Sequence, residues 1–281
     1  MKIRSATLEY QGQVFTFTSK PVFGATGAWV LEDVTGWFGG VGVRAETTDR
    51  LGHGMFQQRA WRSNRALTLA ATYIANEPDE RLALQRALSG MMWAGDYGTL
   101  TVDADRVLSC PVRLDGEVGM VELGTHGVQL QVPLVSADPW LYAPERVVYA
   151  NPVGIGVAMA YPLFGVGGAL TYGAARNNSQ PVTNYGTATA YPSMWVYGDF
   201  PGGFKITAAG KTVQWPWPTS PAQPVRIEHS GSVWSESSNV THLATLKQWM
   251  PLEAGATYKP QLYALQGGTG YLETHIRDTY I

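Results

Sequence analysis

Few side chains of this 281-residue chain stand at the spacings that metal or acid–base chemistry requires. The five histidines, at positions 53, 126, 229, 242 and 275, include no two at metal-ligand spacing. His53 stands between two glycines, and we interpret it as an exposed loop residue. Asp103-Ala-Asp105 resembles the opening of a calcium-binding loop, but Arg106 and Val107 break that pattern. We therefore interpret this segment as a hairpin turn.

The sequence also lacks the motifs of nucleophilic and nucleotide-dependent enzymes. No nucleophile elbow or phosphate-binding loop follows a predicted strand, and Leu170 stands where the third glycine after Gly165 and Gly167 belongs in a dinucleotide fingerprint. A carboxylate pair for glycoside hydrolysis stays open, because the separation of such a pair is purely spatial. Only six acidic residues follow position 145, however. We expect no catalytic residue, cofactor or metal, and no enzymatic activity.

Tryptophans suggest a binding surface. In an extended segment Trp215 and Trp217 lie on one side, about 6.6 Å apart. Together with Trp234 they could form a platform on which sugar rings stack, since an indole has a broad apolar face and a polar N–H. The alternative interpretation is that these indoles fill the core or contact another subunit.

The composition favours short strands joined by turns. Charged residues make up 15% of the chain, below the ~25% usual for soluble domains, and 32 glycines and 17 prolines disfavour a helical bundle. A net charge of −2 gives no reason to expect a polyanionic partner. The single cysteine, Cys110, excludes an intrachain disulfide, and the N-terminal sequence has no apolar core of a signal peptide.

The chain consists of two unlike halves. Residues 1–145 contain 12 basic and 16 acidic side chains, whereas residues 146–281 contain 8 and 6. No charged residue stands between Arg146 and Arg176, but the prolines and glycines of that stretch exclude a transmembrane helix. We expect an extended connector over 146–180.

The first half predicts an α+β domain of mostly antiparallel strands with one helix. Strands are predicted at 2–9, 13–18, 29–34, 66–74, 98–102, 107–114 and 127–137. Residues 39–64 are rich in glycine, arginine and glutamine, and we expect an exposed, mobile loop. A helix capped by Asn76 and ended by Gly90 presents Leu84, Ala87, Leu88 and Met91 on its packing face.

The second half predicts a β-sandwich. Alternating, aromatic-rich runs recur about every ten residues with no amphipathic helix between them. The runs are 193–197, 204–207, 225–228, the 240s, and 258–264 with 271–276 across a QGGTG turn.

Three segments, in order, resemble the distal tail protein family of phages with long, flexible, non-contractile tails. They are Gly52-His53-Gly54 with Arg65–Leu69, Pro133–Tyr142, and Asn184–Gly198. Within the second segment, Ala137, Asp138, Pro139 and Trp140 form the signature that closes the N-terminal domain in that family. Arg226–Glu228 and Trp249–Gly255 fit later strands of its C-terminal domain, so the resemblance covers essentially the whole chain.

The resemblance implies a structural virion protein without cofactors. It implies an N-terminal belt domain (1–145), the connector (146–180) and a galectin-like β-sandwich (181–281). It further implies a homohexameric ring at the distal tail tip, assembled in the host cytoplasm, that leaves a channel for DNA. The implied partners are other copies of the chain, tail-tube or terminator-side ring proteins, the tail-tip hub or tail-associated protein, and receptor-binding proteins, with no specific nucleic-acid recognition and no membrane span.

The predicted loop at 39–64 is a candidate for docking against a neighbouring subunit or tail protein. It is locally basic in an acidic half, with Arg44, Arg50, Arg59 and Arg62 as well as His53. An idle surface loop is the alternative interpretation. For the whole protein, a glycan-binding adhesin or tail-associated carbohydrate-binding module, and a tail-associated glycan hydrolase, stay open.

Overall fold

The computed structural model describes residues 2–20, 27–39, 41–49, 53, 55–153, 157–164, 168, 170–174 and 179–281. The chain divides into two compact units. Unit 1 comprises Met1–Pro144 with Tyr280–Ile281, and unit 2 comprises Glu145–Thr279.

Unit 1 is built from strands and a single described helix. Its elements are β1 (Ser5–Tyr10), β2 (Gln13–Thr18), β3 (Ala28–Thr35), β4 (Val43–Asp49), β5 (Met55–Arg62), β6 (Arg65–Ile74), α1 (Pro78–Ser89), β7 (Gly98–Asp103), β8 (Val107–Leu114), β9 (Gly119–Leu123), β10 (Gly127–Ser136) and β11 (Leu141–Tyr142). The chain ends with β26 (Thr279–Tyr280).

The main sheet of unit 1 closes on itself. The strands β8, β7, β1, β2, β3, β6 and β10 are hydrogen-bonded in that order, and β10 returns to β8 through Leu134 opposite Leu114. A seven-stranded barrel results, with β9 and β11 as lateral additions. All pairings around the barrel are antiparallel except β2 with β3, which is parallel. Closure removes the unpaired edges that an open sheet would expose.

Alternation of buried and more exposed side chains along the strands produces the barrel core. In β6 and β10 every second side chain is buried, so Leu69 and Leu130 have no exposed surface. Leu8 of β1 and Leu100 of β7 are also fully buried in the same cluster. The predicted N-terminal hairpin and the predicted strands at 29–34 and 66–74 are confirmed.

The predicted helix is present as α1, but its N-cap differs from the prediction. Glu77 occupies the N-cap position and makes no side-chain cap, while Glu80 accepts hydrogen bonds from the backbone N–H and the side-chain amide of Asn76 at 2.9 and 3.2 Å. The N-cap residue is therefore Glu77 and not Asn76, which donates to Glu80 instead, so the prediction of Asn76 as the cap is wrong. The predicted packing face is confirmed for three of its four residues, since Leu88 and Met91 are buried and Leu84 packs against the core, whereas Ala87 is exposed.

Within the predicted loop at 39–64, residues 43–49 and 55–62 form strands. Strands β4 and β5 pair with each other in antiparallel register, from Val43 opposite Arg62 to Asp49 opposite Met55. This pair is a separate two-stranded sheet, outside the barrel. Hydrogen bonds between β4 and β5 therefore give these residues a regular structure, which the glycine content of the segment did not predict.

The described residues of unit 2 form strands and one 3-10 turn, Thr241–Leu243. Its strands are β12 (Arg146–Ala150), β13 (Val157–Phe164), β14 (Leu170–Ala174), β15 (Val182–Thr183), β16 (Ser193–Asp199), β17 (Phe204–Ala208), β18 (Lys211–Trp215), β19 (Val225–Ile227), β20 (Val233–Ser235), β21 (Ser238–Asn239), β22 (Leu246–Lys247), β23 (Thr257–Tyr258), β24 (Gln261–Ala264) and β25 (Thr269–Ile276).

Two sheets of unit 2 share one core, as the predicted β-sandwich requires. The six-stranded sheet has the order β12-β25-β16-β19-β20-β21, and the four-stranded sheet has the order β22-β18-β17-β24. Val196 and Leu272 of the first sheet lie in one buried cluster with Ile206 and Leu262 of the second. The QGGTG segment leads from β24 in one sheet to β25 in the other, so these two strands do not pair across it.

Residues 146–150, 157–164 and 170–174 of the predicted connector at 146–180 form strands. Strand β12 is the edge of the six-stranded sheet, where Arg146–Ala150 pairs with Leu272–Ile276. Strands β13 and β14 pair with each other as a further hairpin. No helix in the described part of the chain is long and apolar enough to cross a membrane.

Candidate functional site

The signature Ala137–Trp140 forms a hydrogen-bonded turn directly after β10. The strand ends at Ser136, because a proline follows Asp138 and the residue before a proline avoids helical backbone angles. The Asp138 carboxylate accepts the backbone N–H of Trp140 at 3.1 Å and the hydroxyl of Tyr142. The Ser136 hydroxyl donates to the Asp138 carbonyl at 2.7 Å. Trp140 is half-buried and Ala137 is exposed.

A buried arginine holds this turn against the barrel. Arg65, at the start of β6, is only 2% exposed. Its Nε donates to the Pro139 carbonyl at 3.2 Å, and its Nη1 lies 3.1–3.2 Å from the carbonyls of Gly36, Trp37 and Gly39. Burial lowers the pKa of Arg65, which is nevertheless far too high for the guanidinium to lose its charge at neutral pH. Arg65 thereby joins three separate segments of unit 1.

The backbone conformation next to Arg65 explains why position 36 is a glycine. Gly36 has a φ of +84°, and a Cβ at this position would lie 2.3 Å from the Ala66 carbonyl oxygen. Any other residue would be strained in this backbone conformation and would also collide with β6. Gly36 therefore lets the turn after β3 approach Arg65 closely.

The single cysteine is part of the same interior. Cys110 is 1% exposed, and burial raises the pKa of its thiol to about 12. The charge of Arg65 opposes this rise and that of Asp138 adds to it. Since only the thiolate is an effective nucleophile, Cys110 is chemically inert in the folded chain.

The β4–β5 hairpin presents exposed apolar side chains. Val43, Met55 and Trp61 are 61%, 54% and 60% exposed. Of the basic residues predicted here, Arg44, His53 and Arg62 are exposed. Arg50 and the side chain of Arg59 lie outside the described part of the structure. The guanidinium of Arg62 donates to the Val41 carbonyl at 3.2 Å, at the base of the hairpin.

The three tryptophans of the predicted sugar platform do not share a surface. Trp215 is 5% exposed in the core of unit 2, whereas Trp217 is 49% exposed and its Nε1 donates to the Leu243 carbonyl at 3.1 Å. Trp234 stands on β20 in the other sheet. The extended geometry does not continue beyond β18, which ends at Trp215, so the prediction of a joint platform is wrong.

The Asp103–Asp105 segment forms the predicted turn between β7 and β8. Asp105 pairs with Arg106 at 3.0 Å, and Asp103 pairs with Arg4 at 3.6 Å. Over the described ranges, no three His, Cys, Asp or Glu side chains are grouped as a metal site would need.

A row of side chains crosses the outer face of the six-stranded sheet, and the sequence predicted only one of its members, Trp234, as a sugar contact. Cross-strand register places one member on each strand, and the members are Tyr149, Glu273, Trp195, Arg226, Trp234 and Asn239. Their neighbours along the strands, such as Val148, Val196 and Leu272, face the core. We call these six residues the cross-sheet row. Alternation along β16 and β25 marks two of them as outward-facing, but their alignment depends on the register.

Comparisons with known proteins show which solved structures share this fold. No family model matches the sequence, and no curated protein matches it. Among solved structures, the Dit protein (gp 19.1) of phage SPP1 superposes with a TM-score of 0.65 at 12% identity, over 98% of this chain and 99% of that chain. That protein is described as a paradigm of the hub adsorption apparatus in phages that infect Gram-positive bacteria.

Two structures of the phage p2 baseplate in its activated conformation are also similar. The one with strontium matches with a TM-score of 0.50 at 9% identity, over 97% of this chain and 98% of that chain. The one with calcium matches with a TM-score of 0.50 at 8% identity, over 98% of both chains. The resemblance to phage tail-tip proteins is thus confirmed at the level of the fold: from end to end, this chain has the fold of the SPP1 Dit protein.

Proposed function

We propose that this protein is a structural component of a phage tail tip, belonging to the hub that joins the tail tube to the host-adhesion apparatus. The observation that carries the proposal is the end-to-end likeness to the SPP1 Dit protein, which includes both units and leaves almost none of either chain unmatched. The arrangement of three motifs along the sequence supports the same assignment independently. The role is mechanical rather than catalytic.

The proposed assembly is a homohexameric ring in which unit 1 is the belt around a DNA channel and unit 2 is a galectin-like domain. A closed barrel is a suitable belt module, because it has few free strand edges through which copies could aggregate in the wrong geometry. A ring requires a heterologous interface, in which one surface of a copy contacts a different surface of the next.

The β4–β5 hairpin is the proposed docking arm. It lies outside the barrel sheet and exposes Val43, Met55 and Trp61, which are the apolar and aromatic types that protein interfaces bury. Exposed Arg44 and Arg62 suit the polar rim around such a contact. The proposed partners are a neighbouring copy and the tail-tube or terminator-side ring, while the hub or tail-associated protein and the receptor-binding proteins complete the tip.

Localisation at the distal tip of the virion tail tests the proposal directly. An antibody raised against the purified chain is applied to intact virions and located by negative-stain electron microscopy. We expect label at the free end of the tail, after assembly in the host cytoplasm. Label along the tube or at the capsid, or virions that lack the chain, would contradict the proposed function.

A further inference from the structure

We infer that the outer face of the six-stranded sheet in unit 2 binds a neutral oligosaccharide along the cross-sheet row. Adjacent strands lie about 4.8 Å apart, so Trp195 and Trp234, two strands apart, stand about 10 Å from each other. The row alternates aromatic and polar side chains across all six strands. This inference concerns unit 2 alone and does not depend on ring formation.

Aromatic rings supply the apolar part of the site. Tyr149 and Tyr271 are 48% and 38% exposed, and their ring centroids lie 6.2 Å apart. Tyr271 also stacks on Tyr197, with centroids 5.2 Å apart and planes inclined by 18°. The C–H faces of a sugar ring pack against such flat apolar surfaces.

Polar groups beside the rings supply both donors and acceptors. Glu273 offers a carboxylate acceptor, and the guanidinium of Arg226 has five N–H donors. Within the described part of the chain, Arg226 has no ion pair and no side-chain hydrogen bond. A sugar hydroxyl both donates and accepts, so it suits a row that carries a carboxylate on one side of Trp195 and a guanidinium on the other. A purely anionic ligand would meet Glu273 and Glu145 as well as Arg226.

Contacts within the face fix these side chains before any ligand arrives. The guanidinium of Arg226 lies over the Trp195 ring, with Cζ 4.6 Å from its centroid, and the His275 ring lies 4.3 Å from the same indole. His275 in turn is held between Glu145 at 2.5 Å and Glu273 at 3.2 Å. Preorganisation of this kind reduces the entropy that binding must overcome.

The test measures binding of the full chain to maltohexaose, cellohexaose and chitohexaose by isothermal titration calorimetry. Saturable binding of at least one hexasaccharide is expected. Tyr149→Ala and Tyr271→Ala should each weaken that binding about three- to tenfold, the effect of losing one aromatic contact. Arg226→Lys should weaken it as well, since an ammonium cannot reproduce the guanidinium fork.

The matched control is Trp217→Ala, which removes an aromatic side chain about as exposed as Tyr149 but outside the six-stranded sheet. This variant should bind as the parent protein does, and the melting temperatures of all variants establish that they are folded. The inference is overturned if none of the three hexasaccharides binds at millimolar concentration. It is equally overturned if Trp217→Ala abolishes binding while Tyr149→Ala and Tyr271→Ala do not, or if the tyrosine variants alter only self-association.

Discussion

Arg65 is the side chain on which the turn at Asp138 and the turn after β3 both depend. Its guanidinium contacts four backbone carbonyls that belong to segments far apart in the sequence. Hydrogen bonds from Nε and Nη1 to these carbonyls offset part of the cost of burying the cation. The role of Arg65 is therefore architectural, and it concerns packing within unit 1.

Substitution of Arg65 should destabilise unit 1. Arg65→Met leaves carbonyls without donors in a largely buried place, and we expect a loss of about 3 kcal/mol in the free energy of unfolding. Arg65→Lys should also be destabilising, because one ammonium cannot reach all four carbonyls. Urea unfolding measures both, with the exposed Arg86→Lys as the control that stays within about 0.5 kcal/mol. Equal stability of Arg65→Lys and the parent protein would refute this role.

Asp138 stabilises the turn through two acceptor bonds. Asp138→Ala removes the acceptor of the Trp140 N–H and of the Tyr142 hydroxyl, so stability should fall by roughly 1–3 kcal/mol. Tyr142→Phe removes one of the two bonds and should cost less. Because both changes act on one interaction, the double variant should lose less than the sum of the single losses. An unchanged melting curve for Asp138→Ala would show that the turn does not need its carboxylate.

Cys110 should be unreactive and should make stability depend on pH in the alkaline range. Burial keeps the pKa of the folded thiol near 12, against an ordinary value of 9.0. The unfolded chain therefore loses this proton first as the pH rises above about 9, and stability falls with increasing pH. A thiol reagent at pH 8 should label the protein only after urea unfolding, and Cys110→Ala should reduce the alkaline loss of stability. Rapid labelling of the folded protein would contradict the burial of this thiol.

At the scale of elements, the β4–β5 hairpin is where sequence and structure differ most. Glycines at 39, 40, 42, 52 and 54 and many polar residues predict a loop. The two strands pair only with each other, so they do not need the alternation of apolar residues that burial on a sheet imposes. In contrast, β6 shows that alternation along its whole length and β10 along its middle, and both strands were predicted closely.

Removal of the hairpin should separate folding from assembly. Val43 and Arg62 are cross-strand partners, so residues 44–61 can be replaced by Asn-Gly with little change at the base. The shortened protein should keep its melting temperature within a few degrees and lose ring formation or attachment to the tail tube. The point variant Trp61→Ala should weaken assembly in the same direction. A shortened protein that assembles normally and supports infectious particles would show that the hairpin is not a docking arm.

The arrangement of the candidate surfaces could be predicted only in part. The turn at Asp138 follows from local chemistry, since Pro139 ends the strand and a nearby carboxylate accepts an exposed N–H. The cross-sheet row depends on the register of strands that are more than 100 residues apart, such as β12 and β25. The prediction of a joint platform was wrong for the same reason. Local spacing does not show that Trp215 and Trp234 lie on strands of different sheets.

At the scale of the whole molecule, closure of the barrel and pairing of the two sandwich sheets follow from long-range contacts. The sequence indicated a mainly β chain in two parts because glycine, proline and alternating runs are local signals. The pairing of β8 with β10, which closes the barrel, joins segments that no periodicity connects. End-to-end likeness to the SPP1 Dit protein supplies the context in which these surfaces are interpreted.

The mass of the purified protein in solution shows whether six copies assemble into a ring. Multi-angle light scattering at tens of micromolar, with negative-stain images of the same sample, measures both the number of copies and their symmetry. We expect rings with six-fold symmetry and a mass about six times that of the 30.5 kDa chain, or about twelve times for two rings back to back. A strictly monomeric protein at that concentration, with no ring in the images, would contradict it.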